Sequence, residues 1–497
     1  MATSCIDLME KNNLKESLHP LTWHDLHHGD RSVAVPFSLA LNDSEDVLIC
    51  DEVVRLLPGK RLVAMGTLGD KQVVAKLFYD GGKAKRHIKR EIDGIDILKA
   101  SGTPSPNVVW QGTALKRKVQ VLIFERILDC ISLDEIWHTK NYSDDLLELM
   151  QNVTIELATQ HVLGVVQDDL HLNNFLVTEK HIYTLDGGSV HQVEGILPKE
   201  ESLDHLALFF AQLGVGTESL HEILFQIYVK ARGWIIKKND LEFLKTATRR
   251  WVQKRAQRFE KKLQRSSTAF ARIVTSKSLL MYDREYQSDA LDYFLLNPDK
   301  IIQQSDTQLI KAGRSATVAK IKIDNRYFIV KRYNIKSTAH WLRRCLRMTR
   351  AVKTWQLALR LNLFGIDTAK PVAFIENQFL ALRGRSYLLM ECIEGPHAGE
   401  YFANYCGGDV VMDEMAKQIV TLISNLAKLN LTHGDLKATN ILIANNKPVL
   451  IDLDGMKEHK SKLSLKLAVK KDWSRFLKNW GNSPSVLALF RELIDRQ

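Results

Sequence analysis

Cysteine is scarce: six in 497 residues, at Cys5, Cys50, Cys130, Cys345, Cys392 and Cys406. None stands in a C-x-x-C pair. This excludes a disulfide scaffold, gives no zinc-site spacing, and points to free thiols in a reducing compartment. Long apolar runs are missing too. The most apolar stretch, residues 203–213 (LDHLALFFAQL), falls short of the roughly 18–20 residues a spanning helix needs. The opening MATSCIDLMEKNNLKESLHP has no basic start followed by an apolar run, so no secretory signal is expected and a cytoplasmic location is. Acid is outnumbered: 58 Asp and Glu against 69 Lys and Arg, a net charge of +11. That excess attracts nucleic acid, anionic lipid or phosphorylated substrates without choosing among them.

What is present is a repeat. Residues 167–186 read QDDLHLNNFLVTEKHIYTLD and residues 433–452 read HGDLKATNILIANNKPVLID. Without a gap they match at Asp169 and Asp435, Leu170 and Leu436, Asn174 and Asn440, Leu176 and Leu442, and Asp186 and Asp452. Upstream, LIFERI (122–127) lies over LLMECI (388–393), and QVVAKLF with Lys76 over YFIVKRY with Lys331. Two copies of one fold are therefore expected, each with alternating strands first and mainly helix later. The implied class is α+β: two tandem domains, each with a small sheet-rich lobe, a larger helical lobe and a ligand cleft between. The boundaries read as a leading segment 1–45, a first domain 46–275, a connector 276–304 and a second domain 305–497.

The repeated residues suit phosphoryl transfer. A hydroxyl nucleophile needs an acceptor carboxylate, which the first Asp of each motif can supply. The Asn and the later Asp are hard oxygen ligands suited to Mg²⁺. A strand Lys can reach ATP phosphates, and a Glu on the next helix can hold that Lys. Protein kinases use this set of parts.

Both halves resemble kinase-fold domains, specifically the bacterial lipopolysaccharide kinase (Kdo/WaaP-type) family. The second half carries IVKRYN (329–334), WLRRCLRMTRA (341–351), GIDTAKP (365–371), HGDLKATNILI (433–443), LIDLDGM (450–456) and DWSRFLKNW (472–480). The first carries VVAKLF (73–78), KREIDGIDIL (89–98), QDDLHLNNFLV (167–177) and TLDGG (184–188). The resemblance implies ATP and Mg²⁺ as cofactors and Asp169 and Asp435 as catalytic residues. It implies Asn174, Asp186, Asn440 and Asp452 as metal ligands, and Lys76, Glu91 and Lys331 as nucleotide-binding residues. Gly66 and Gly69 are expected to form the phosphate-covering turn of the first half, and Gly313 that of the second.

Departures from the pattern are visible. Gln167 and Asp168 replace the usual His and Gly, and loss of the His is expected to loosen the loop. Thr354 falls where Glu91 stands, so the second half lacks the helix glutamate. Asp454 reads either as an extra ligand or as a surface residue. The first half thus keeps the fuller lysine–glutamate–glycine set, and the second the more orthodox catalytic loop; one or both are expected to be active, with the first slightly favoured.

A supporting helix aspartate is expected at Asp204 and Asp472, 18 and 20 residues after the metal aspartates. That leaves little room for a peptide-docking platform. The resemblance then implies transfer to a sugar hydroxyl of the lipopolysaccharide core or another anionic glycolipid. Basic segments ending in aromatics, residues 341–355, and the lysine-rich 457–471 suit peripheral contact with an anionic inner membrane. Nucleic acid is disfavoured, because no recognised binding motif accompanies the charge. Two alternatives remain open at this stage: an atypical protein kinase, and a non-catalytic scaffold in one or both halves.

Overall fold

The computed structural model describes residues 18–28, 31–139, 144–379 and 382–496. The chain divides into two compact units, Met1–Gln212 with Ser219–Arg249, and Leu213–Glu218 with Arg250–Gln497. Among the described residues, no helix is long and apolar enough to cross a membrane.

The first unit opens on a seven-stranded sheet. Its order is His19–Pro20, Phe37–Ala40, Val47–Leu57, Arg61–Leu68, Lys71–Phe78, Val119–Glu125, Val108–Ala114. Period-two alternation decides which face each residue takes. Leu62, Ala64, Leu68, Val73, Ala75 and Leu77 point into one core with Leu21 and Leu26. Phe78, Leu122 and Phe124 point the other way, against Ile88, Ile95 and Leu98 of the helix Ala84–Ala100. Lys76 is one residue out of phase with Ala75 and Leu77, so it shares the helix-facing side. Helices follow, chiefly Asp144–Val162, Lys199–Phe210 and Glu218–Ala231.

The second unit has its own seven-stranded sheet. Its order is Phe270–Val274, Ser278–Asp283, Pro371–Phe379, Leu382–Glu391, Arg326–Tyr333, Ala316–Ile323, Gln308–Ala312. Trp355 and Leu359 of the helix Arg350–Leu363 pack on one face with Phe374 and Leu388. Leu291, Phe294 and Leu295 of the helix Asp289–Leu296 pack on the other. The later helices are chiefly Val410–Lys428, Lys462–Leu477 and Pro484–Asp495.

Both sheets share a five-strand antiparallel order around the lysine strand. Each adds two further strands, at opposite edges. Those additions are why the units differ from the boundaries read in the sequence. Phe37–Ala40, from the expected leading segment, is hydrogen-bonded to Val47–Leu57. Ser278–Asp283, from the expected connector, pairs with Pro371–Phe379. These strands lie outside the repeat, and what makes them part of a unit is the sheet edge they cover.

Candidate active sites

In the first unit the lysine strand and the facing helix bring three charges together. Lys76 Nζ lies 2.7 Å from Glu91 Oε2 and 3.4 Å from Asp186 Oδ1. Glu91 is only 3% exposed, and burial pushes its carboxyl up despite the ammonium beside it. Burial opposes ionisation of Asp186 as well, yet Lys76, Glu91 and Arg61 together hold it below the usual range. The approach is close because glycines allow it. A Cβ on Gly94 would stand 1.9 Å from the Gly187 carbonyl oxygen, and one on Gly188 would stand 3.1 Å from Glu91 Oε1.

The loop before Asp186 completes the set. Asn174 Nδ2 donates to the Asp169 carbonyl at 2.7 Å, and the Leu185 N–H donates to the Asn174 carbonyl at 2.8 Å. The second unit repeats both bonds: Asn440 Nδ2 to the Asp435 carbonyl at 2.8 Å, and the Ile451 N–H to the Asn440 carbonyl at 3.0 Å. Asp186 and Asp452 share a left-handed backbone, φ 63° and 57°. The structure thus brings Asp169, Asn174, Asp186, Lys76 and Glu91 together in one unit, and Asp435, Asn440, Asp452 and Lys331 in the other.

The expectation that Gln167 loosens the loop needs correcting. Gln167 Nε2 donates to the Leu185 carbonyl at 3.0 Å, and His433 Nε2 meets the Ile451 carbonyl at 3.1 Å. The two side chains tie their loops to equivalent carbonyls, one just before Asp186 and the other just before Asp452. Under the first loop runs a buried relay. His205 Nε2 lies 2.9 Å from the Gln167 carbonyl, His205 Nδ1 2.8 Å from His161 Nε2, and His161 Nδ1 2.6 Å from the Tyr228 hydroxyl. Arg232 donates to that hydroxyl at 3.0 Å. The contact with the Gln167 carbonyl comes from His205, the neighbour of Asp204. In the second unit Asp472 holds the loop, accepting from the His433 N–H at 2.7 Å and the Gly434 N–H at 3.1 Å.

Gly66 and Gly69 are not brought to the site. Gly66 sits mid-strand, where a Cβ would stand 1.9 Å from the Ile49 carbonyl oxygen, and Gly69 turns the chain into Lys71–Phe78. That turn lies at the strand end opposite Lys76, roughly 17 Å away at 3.3 Å per residue. The hairpin tip on the Lys76 side is instead residues 58–60, since Leu57 pairs with Arg61 and Val63 with Lys76. Gly313 is placed as expected, at the tip between Gln308–Ala312 and Ala316–Ile323, where Val318 pairs with Lys331.

In the second unit Thr354 does occupy the helix position facing the lysine, and a different carboxylate meets that lysine. Lys331 Nζ lies 2.6 Å from Asp452 Oδ1 and 2.7 Å from Asp454 Oδ2. Asp454 Oδ1 also accepts from the Tyr333 hydroxyl at 2.6 Å and from Thr354 Oγ1 at 3.2 Å. Burial works against the Lys331 charge, yet Asp454 and Asp452 raise its ammonium above the ordinary value. Burial likewise opposes the Asp452 charge, but Lys331, His433 and Lys311 bring its carboxyl down. Asp454 is therefore no surface residue. Thr354 and Asp454 together stand where the first unit has Glu91 and Gly188.

These groups line a cleft of about 830 Å³, with Lys331, Asp435, Asn440 and Asp452 at one side and Met390, Glu391, Cys392 and Ile393 also lining it. Lys437, which the sequence reading passed over, lies 2.7 Å from Asp435 Oδ2, and Arg475 lies 3.5 Å from Oδ1. Lys437 was visible as the residue two after Asp435. Arg475 was not, being 40 residues downstream. The basic segment 341–355 departs from its expected form: Trp355 is fully buried in the core, and the Trp341 indole donates to the Arg383 carbonyl at 2.9 Å.

The model of the lipopolysaccharide kinase (Kdo/WaaP) family matches residues 304–486. The comparison with curated proteins found no match. Two solved structures of the Mycobacterium tuberculosis PknI kinase domain are similar at 13% identity. One covers 44% of this chain and 98% of its own with a TM-score of 0.29. The other, a cysteine mutant, covers 37% and 76% with a TM-score of 0.27. Residues 304–486 are thus similar to the lipopolysaccharide kinase (Kdo/WaaP) family, a match that implies ATP-dependent phosphotransferase activity.

Proposed function

We propose that the protein transfers the γ-phosphoryl group of ATP to a sugar hydroxyl of the lipopolysaccharide core, and that the second unit performs the transfer. The observation that carries this is Lys331 held between Asp452 and Asp454 in a cleft that also presents Asp435 and Asn440. In this reading Lys331 meets the phosphates, and Asp435 takes the proton of the acceptor hydroxyl as that oxygen bonds phosphorus and ADP leaves. The backbone of 390–393 lies where adenine would be held. Lys437 and Arg475 hold Asp435 in place and balance its charge.

The residues fit Mg²⁺. Asn440 spends its N–H₂ on the Asp435 carbonyl, which leaves its amide oxygen, with the Asp452 carboxylate, as hard donors. Bound there, the ion neutralises phosphate charge. The first unit keeps Lys76, Glu91, Asp169, Asn174 and Asp186 in the same relation, and we assign it nucleotide binding.

The sugar acceptor is supported by the short path after the metal aspartate. The helix Lys462–Leu477 begins ten residues after Asp452, which leaves no room for a long peptide-docking segment. That helix exposes Leu463 and Leu467 beside Lys462, Lys466 and Lys470, a face suited to an anionic membrane.

Radiolabelled ATP with purified core oligosaccharide tests the reading. Asp435→Asn should lower transfer roughly a hundredfold or more. Unchanged transfer in Asp169→Asn/Asp435→Asn rejects the catalytic assignment. Label on protein rather than sugar makes this an atypical protein kinase.

A further inference from the structure

Fifteen residues separate Lys76 from Glu91, but twenty-three separate Lys331 from Thr354. The eight extra residues of the second unit lie in the basic stretch after the lysine strand. They fold as the short helix Thr338–Leu342 and a run of turns that ends at the helix Arg350–Leu363. This stretch borders a pocket of about 60 Å³ lined by Lys336, Arg344, Arg347, Arg350 and Ser315. One water needs about 10–15 Å³, so the space holds several waters or one tetrahedral oxyanion.

The charge in this pocket is uncompensated. No acidic side chain lines it, and Arg344, Arg347 and Arg350 have no ion-pair partner among the described residues. The nearby Glu376 is already engaged, accepting from Thr349 Oγ1 at 2.6 Å and lying 3.1 Å from Arg383 Nε. Planar guanidinium groups match phosphate oxygens two at a time, so this donor set selects an oxyanion. The pocket also adjoins the nucleotide cleft: Ser315, Arg344, Thr349 and Arg350 line both. Ser315 belongs to the phosphate-covering turn, so the pocket opens at the end of the cleft where transfer takes place. Around it Leu342 and Leu346 stand 63% and 77% exposed, apolar groups held out beside the cations.

We propose that this insertion is an acceptor-binding subsite, in which Arg344, Arg347 and Arg350 hold a phosphate already present on an amphiphilic sugar acceptor. The enzyme then adds its phosphoryl group to a molecule that is already anionic. A preceding reaction of the phosphorylating class must supply it. The inference rests on the second unit being the transferring one.

Equilibrium binding keeps the two readings apart, because it does not need turnover. Calorimetry on the full chain carrying Asp435→Asn would compare phosphorylated core oligosaccharide with its phosphatase-treated form. Phosphorylated oligosaccharide should bind at least tenfold more tightly. Arg347→Ala, whose side chain lines only the small pocket, should remove that difference and leave Mg-ATP affinity unchanged, and Arg347→Lys should restore it in part. Equal affinity for the two oligosaccharides overturns the proposal. So does tenfold discrimination that survives Arg344→Ala/Arg347→Ala. Vesicles of phosphatidylglycerol form the third arm. If they bind through these arginines and the phosphorylated oligosaccharide does not, the site reads a lipid headgroup and the acceptor assignment is overturned.

Discussion

Asp454 Oδ2 lies 2.7 Å from the Lys331 ammonium, the place that Glu91 holds beside Lys76 in the first unit. The carboxylate has moved from the helix to the turn after Asp452. Where the helix gives Glu, the turn gives Gly188, and a Cβ there would crowd Glu91 at 3.1 Å. Where the helix gives Thr354, the turn gives Asp454. The lysine keeps two acidic neighbours either way, and their charge offsets the cost of burying the ammonium.

This exchange can be tested by reversing it. Asp454→Ala should lower transfer by the second unit about tenfold or more, since a hydrogen bond to a charged group contributes roughly 1.5–3 kcal/mol. Thr354→Glu/Asp454→Gly should recover part of that loss. Steady-state rates with saturating acceptor decide it, and a double variant no better than Asp454→Ala counts against the exchange.

The Gln167 bond to the Leu185 carbonyl predicts that the missing histidine matters little. Gln167→His should leave the first unit near its original stability. Gln167→Ala leaves a part-buried carbonyl without its donor and should cost about 0.5–1.5 kcal/mol. Urea unfolding of the two variants separates these outcomes.

Gly94 and Gly187 touch through backbone. Gly94→Ala should force the helix Ala84–Ala100 off the Asp186 turn, cost about 1–3 kcal/mol as overpacking does, and weaken nucleotide binding by the first unit. Gly69→Asn, at a turn far from Lys76 and with a residue that tolerates positive φ, should leave that binding unchanged. Nucleotide affinity in an Asp435→Asn/Lys331→Ala background reads the first unit alone.

Acid should weaken the first unit through its histidine relay. Burial lowers the His161 value well below the ordinary one, and His205 and Arg232 lower it further. Burial lowers His205 too, with His191 adding to the shift and the Gln167 carbonyl, Asp168 and Asp204 opposing it. The folded state therefore refuses protons that the unfolded chain accepts below its pKa of about 6.5. Stability from these groups is whole above that pH and falls as the pH drops below it. Thermal unfolding at pH values near 7 and 5 should show the loss, and His161→Phe/His205→Leu should flatten it. An equal slope in that variant would count against the relay.

Much of the candidate site was legible before the fold, because residues that share one short loop keep a fixed spacing. Asp169, Asn174 and Asp186, and Asp435, Asn440 and Asp452, are close in the chain, and their convergence needs only a turn and two short strands. Lys76 and Glu91 were legible for a similar reason, one strand and one helix apart. Gly66 and Gly69 misled because glycine serves any tight approach. Only strand register shows that these two lie at the wrong end of Lys71–Phe78.

What the amino-acid order determined alone is the repeated chemistry: two lysines, two Asp–Asn–Asp sets, and a fold class to hold them. Tertiary structure alone decided which carboxylate holds Lys331, which residues form the hairpin tip on the Lys76 side, and which strands complete each sheet. The reason is physical. Spacing along the chain governs groups that meet through local turns, whereas Asp454 reaches Lys331 across 123 residues. Only the packing of strand, helix and loop brings such distant groups within hydrogen-bonding range.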